Sequence, residues 1–299
     1  MNKKITGFIF LGMTLIDVAL IMIMRSVPGF RPGLYGRLIL TEAIMILPCL
    51  AGWLASHDSF TKAFGISGIK LKLIPACMLL TILLTPLTAL VNLSTLFFTE
   101  NEAGVILNSL SELPAPVIFL FVAVIGPCVE ECCFRGLLFT GIRKSGSALQ
   151  AILISALAFG LFHMNINQAA YAFMLGLFFA ILRELSESIL PSVICHVCIN
   201  GSSTLTLLLG GDKAVTQAGE VMTKDMMLIA AGCLMVIALI TTTLAIALLM
   251  WVADVCGKEN GIAGIFASHK NEKSSVLTIP YLAGCAICII YIIKELLPG

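Results

Sequence analysis

The chain has 299 residues, 59% of them hydrophobic and only 12% charged, with a mean hydropathy of +1.04. Soluble domains carry about 25% charged residues, so a water-soluble globule is excluded and a membrane protein is implied. The net charge of +1 excludes the basic footprint of a nucleic-acid binder.

Apolar runs long enough to span a bilayer, about 20 residues each, recur along the whole chain. They predict spans near 5–24, 38–56, 73–98, 115–139, 149–164, 168–185, 188–209, 226–254 and 275–296. The fold class is therefore all-α: a polytopic membrane protein of about eight to nine transmembrane helices, with its chemistry in the central ones. Nothing alternates with period 2 over regular stretches, which argues against a barrel. The first run starts after Met1-Asn2-Lys3-Lys4 and ends at Arg25-Ser26-Val27-Pro28 with no small-residue cleavage site, so it reads as a retained span. The mixed pattern from Ser56 to Ile66 suits a short interfacial helix. No repeat and no Ser/Gly linker divides the chain, so residues 1–299 read as a single membrane domain.

Basic residues set the orientation. Lys3, Lys4, Lys62, Lys70, Lys72, Arg143, Lys144, Arg183, Lys258, Lys270 and Lys273 fall on one side of a nine-span path, which places the N-terminus inside. The acidic loops with Glu100, Glu102 and Glu112, and with Asp212, Glu220 and Asp225, fall on the other. Arg25, Arg31 and Arg37 disagree with this scheme. A cell membrane of a bacterium or archaeon fits the Lys-rich start and the lack of organelle signals.

Ionisable groups at membrane depth are costly and mark function by default. They concentrate between Glu130 and Asn200: Glu130-Glu131-Cys132-Cys133-Phe134-Arg135, then Phe159-Gly160-Leu161-Phe162-His163, then His196-Val197-Cys198-Ile199-Asn200. Residues four apart share a helix face. Glu131 and Arg135 therefore stack as an ion pair, and Glu130, about 100° around the helix, faces a cavity as candidate general base. His196 and Asn200 share a face and suit donation to an oxyanion. Glu130, His163 and His196 are also candidate ligands for a divalent metal such as zinc, or position a water with none; H-E-x-x-H is absent.

Other polar residues read more plainly. The eleven cysteines form no disulfide framework; most sit in apolar runs and read as small hydrophobes between helices, and Cys195-x-x-Cys198 and Cys285-x-x-Cys288 read as packing. Asp17 and Glu42 mark an ion pathway, sit near a span end, or pair with Arg25 or Arg37.

Glu130 to Gly136, as Glu-Glu-x-x-Phe-Arg-Gly, resembles the first motif of the CPBP family, the CAAX prenyl endopeptidase and bacteriocin-processing (Abi-type) intramembrane proteases. Phe159-x-x-x-His163 resembles its second motif. Ala172 to Gly176 resembles the segment between motifs, and Ser192 to Asn200 its His-x-x-x-Asn element. The resemblance covers roughly 115–205 as a catalytic core. It implies an endopeptidase in which Glu130 and His163 activate water and His196 and Asn200 stabilise the oxyanion, with Glu131 and Arg135 in support. The substrate expected is a membrane-associated or lipidated peptide or protein reached from the lipid. The rival reading is a non-proteolytic regulator or immunity protein, or a proton-coupled transporter.

Overall fold

The computed structural model describes residues 2–27, 29–99, 101–221, 223–267 and 276–296. Glu100, Lys270 and Lys273 of the orientation argument lie outside these residues, as do the side chains of Asp212 and Glu220. Among the described residues there is no strand. The helices in chain order are α1 (Lys3–Ser26), α2 (Leu34–Ser56), α3 (Phe60–Phe64), α4 (Leu73–Thr95), α5 (Glu102–Ser109), α6 (Ala115–Arg143), α7 (Ala148–Phe162), α8 (Ile166–Ser186), α9 (Leu190–Val221), α10 (Lys224–Cys256), α11 (Ala263–Ala267) and α12 (Ile279–Leu296).

The molecule is an all-α polytopic membrane protein. Among the described residues six helices (α1, α2, α4, α6, α8 and α10) are long and apolar enough to cross a bilayer, and α7 and α12 are apolar but shorter. The 32-residue α9 runs well beyond the stretch predicted near 188–209. Each predicted span finds a helix; the interfacial segment forms the single turn and a half of α3.

Burial separates the helices by role. Half of α8's apolar stretch is buried, against 17% for α10. The central helix α8 packs on α7, α4, α9 and α10, whereas α10 lies outside against α4. Its outer face carries exposed Leu228, Ile229, Val236, Leu239 and Ile240, as a lipid-facing surface requires. At the other side α1 packs against α2 and α12.

Local signals fix where the central helices begin. Ser147 caps α7 with a reciprocal capping box to Gln150. Asn165 caps α8 through the Gln168 amide. Between them Met164 takes φ +52°, so the chain reverses in three residues. Close contact of α7 with α8 depends on glycine: a Cβ on Gly160 would lie 2.8 Å from the Ala169 carbonyl oxygen. A Cβ on Gly136 of α6 would likewise lie 3.0 Å from the Phe64 carbonyl oxygen, which is how α3 seats on α6.

Helix α6 is irregular in a way that matters for the site. Its turns widen to π geometry over Phe119–Ile125 and Cys132–Leu138, on either side of the α-helical Gly126–Glu131. Pro127 is the second residue of that middle segment. A proline inside an α-helix clashes with the carbonyl four residues back, and the wider preceding turn relieves the clash. Such π segments recur at functional positions.

Candidate functional site

The middle of α6 presents Glu130 and Glu131, α9 presents His196 and Asn200, and the end of α7 presents His163. Glu131 and Arg135 form the ion pair that their spacing predicts, with Arg135 Nη1 donating to Glu131 Oε1 at 2.8 Å and both side chains fully buried. The guanidinium carbon lies 4.2 Å from the Phe159 ring centroid and 5.3 Å from that of Phe179. Cation–π contact between two apolar rings contributes about 0.5–2 kcal/mol and fixes the plane of the guanidinium. Gly176 on α8 makes the room: a Cβ there would lie 3.0 Å from Arg135 Nη2 and 3.2 Å from Ala156 Cα.

The same Glu131 oxygen holds a second partner. His196 Nδ1 lies 2.9 Å from Glu131 Oε1. A carboxylate only accepts, so Nδ1 carries the proton. His196 Nε2 then points at Glu130, 3.4 Å from its Oε2. Phe179 and Phe159 flank this imidazole at 5.2 and 5.6 Å between centroids. Glu131 thus orients both a cation and an imidazole, while Glu130 stays 22% exposed beside them.

His163 is anchored separately. Its Nδ1 lies 2.9 Å from the Phe159 carbonyl oxygen, one turn back. A carbonyl only accepts, so Nδ1 donates and Nε2 holds the lone pair in the neutral ring. The Asn165 amide also donates to the His163 carbonyl at 2.8 Å. The His163 ring packs edge-on against Phe159 at 5.1 Å, and His196 packs on the same ring. His163 therefore joins the cluster through Phe159. Asn200 Nδ2 donates to the Val122 carbonyl in the first π segment at 3.1 Å, which leaves its second N–H available.

Among the described residues no three His, Cys, Asp or Glu side chains are grouped to hold an ion. His196 Nδ1 is engaged by Glu131 and His163 stands apart, so Glu130 and His196 offer two neighbouring donors. The cysteines are free thiols. The Cys195 thiol donates to the Cys77 carbonyl at 3.4 Å, as packing would have it.

Sequence reasoning left Phe179 and Glu42 without a place in the site. Phe179 follows Gly176 by three residues and so lies on its face, a signal visible only once Gly176 is known to abut Arg135. Glu42 pairs with neither Arg25 nor Arg37 among the described residues; Arg37 Nε donates to the Pro32 carbonyl instead. A Cβ on Gly126, one turn before Glu130, would lie 3.4 Å from Glu42 Oε1. Glu42 Oε2 is buried with no hydrogen-bond partner.

Residues 112–202 match the family described as type II CAAX prenyl endopeptidase Rce1-like. The resemblance read from the motifs is borne out, and the matched residues include every side chain of the cluster except Glu42. The chain is also 26% identical over 85 residues to a Bacillus subtilis (strain 168) protein named "Putative membrane peptidase YdiL", covering 28% of this chain and 35% of that protein. The chain thus spans about a third of the length of the curated relative that it matches. No solved structure matches it.

Proposed function

We propose that the protein is an intramembrane endopeptidase that hydrolyses a membrane-associated or lipidated peptide with a water activated by Glu130. The observation that carries this reading is the shared Glu131 oxygen, which directs His196 Nε2 to within 3.4 Å of Glu130 Oε2.

Glu130 takes a proton from water, and the resulting hydroxide attacks the scissile carbonyl carbon. The carbonyl π electrons move onto oxygen. With Nδ1 bonded to Glu131, a protonated His196 donates Nε2–H to that oxyanion, and the second Asn200 N–H joins it. Glu130 then passes its proton to the departing amine as the C–N bond breaks. His163, with Nδ1 tied to the Phe159 carbonyl, offers Nε2 as a second acceptor for the water. Arg135 does not touch the reacting atoms; its hydrogen bond to Glu131 Oε1 holds that carboxylate in place. The bilayer excludes bulk water, so each of these interactions acts at low dielectric.

The family description and the relative's name support protease chemistry, and the six apolar helices support a substrate reached from lipid, in a cell membrane. The test is comparative peptidomics of membranes holding wild-type protein or Glu130→Gln. Peptides that end at one new site in the wild-type sample alone are expected. Identical peptide sets from equally abundant proteins would overturn the proposal.

A further inference from the structure

A second polar cluster closes one end of the bundle, where α6 and α8 finish. It encloses a cavity of about 310 Å³ lined by Thr140, Arg143 and Lys144 of α6 and by Arg183, Glu184 and Glu187 at the end of α8. Most of its charges are matched. Arg143 Nε donates to both Glu184 oxygens at 3.1 Å. Lys144 Nζ meets Asp58 Oδ2 at 2.7 Å, and Lys258 pairs with Glu187. Arg183 is the exception: among the described residues it forms no ion pair, and its Nε is buried with no hydrogen-bond partner.

The fold holds this guanidinium in place. It stacks on the Phe139 ring at 5.4 Å. It lies against Gly65, whose φ of +64° and missing Cβ leave the space it fills. The Gly65 carbonyl is tied down by the Ile189 amide at 3.0 Å. Beside it Thr140, 8% exposed, lines the same cavity, and its buried hydroxyl has no partner. A half-buried cation outside any ion pair, with Glu184 and Glu187 near it but bonded elsewhere, and a hydroxyl without an acceptor are together half of a binding site.

We propose that this cavity binds a phosphate-class anion, through Arg183 and Thr140 with Arg143 and Lys144 at its rim. Among the lining residues three cations (Arg143, Lys144, Arg183) face two carboxylates (Glu184, Glu187), so one positive charge is left for the ligand. The helix ends that carry these residues lie where apolar spans give way to charge, the depth of lipid headgroups. Basic pockets between transmembrane helices at that depth take phosphate headgroups, and free phosphate offers the same chemistry. This site does not depend on the hydrolytic reading.

The full-length protein in detergent is titrated with inorganic phosphate at constant ionic strength. Separately it is reconstituted into phosphatidylcholine bilayers with and without phosphatidylglycerol. Melting temperature is read in each case. A saturable rise is expected with phosphate, with phosphatidylglycerol, or with both; which one responds distinguishes the free ion from the lipid. Arg183→Gln and Thr140→Val should each weaken the response, by about tenfold for the loss of one charge-assisted hydrogen bond. Glu187→Gln should not weaken it. Thr140→Val is nearly isosteric, so it reports even if the arginine variant folds poorly. No saturable rise from either source in a cooperatively melting wild type overturns the proposal, and so does a rise unchanged by Thr140→Val.

Discussion

Removing the Glu131 carboxylate tests the electrostatic core of the site. Its Oε1 accepts two hydrogen bonds, from Arg135 at 2.8 Å and from His196 at 2.9 Å, and neither Glu131 nor Arg135 has any exposed surface. Glu131→Ala leaves a guanidinium held between two phenyl rings with no anion in contact. Breaking a buried pair in this way costs about 3–5 kcal/mol. At roughly 2–4 °C per kcal/mol for a chain of this size, the melting temperature falls on the order of 10 °C. Arg135→Met should cost less, because the Glu131 carboxylate it leaves behind still has His196. Glu131→Ala combined with Arg135→Met removes both charges and should recover part of the loss. The assay is thermal unfolding in detergent of the four proteins, read as a double-mutant cycle. Additive losses in the double variant, or single variants melting within about 2 °C of wild type, would refute the shared burial of the pair.

Glu130→Gln should lower peptide cleavage by about 10²–10⁴-fold, the contribution of a general base, with melting temperature unchanged; a cleavage assay and a melt on one preparation check both. Gly176→Ala puts a methyl 3.0 Å from Arg135 Nη2 and 3.2 Å from the Ala156 backbone, and neither neighbour yields freely. It should cost about 1–3 kcal/mol in unfolding measurements, whereas Gly232→Ala, with open space around it, should cost nothing. Cys195→Ala and Cys198→Ala should leave cleavage rates intact; a loss as large as that of His196→Ala would make them part of the site. Asp58, outside the spans, is held at about 2 rather than its ordinary 3.8, chiefly by its hydrogen bond from Lys144. A lowered pKa in the folded state means a stability contribution that is present above pH 3.8 and lost as pH falls through 2. Asp58→Asn should therefore melt below wild type at pH 6, and the gap should close between pH 4 and pH 2.

Composition and spacing alone determined that the chain is helical, that it spans a membrane, and that Glu131 faces Arg135. These follow from local rules: hydropathy counts residues, and a four-residue step on a helix has one geometric meaning. The motifs also marked Glu130, His163, His196 and Asn200. What the sequence could not express is how separate helices meet. His196 was read as an oxyanion donor beside Asn200, yet its Nδ1 is bound by Glu131, 65 residues earlier. Asn200 turns to a carbonyl that the π geometry of α6 presents, and no residue type signals that widening except Pro127 in hindsight. Phe179 and Gly176 look like ordinary residues of an apolar helix until α8 is packed against Arg135. Charge pairing across helices is decided by tertiary contact as well. Glu42 and Arg37 lie five residues apart on one helix, beyond the three- or four-residue spacing that brings side chains together, and Glu42 reaches α6 instead. Arg183, counted in the sequence only as a marker of orientation, becomes an unpaired cation once Glu184 and Glu187 have been taken by Arg143 and Lys258.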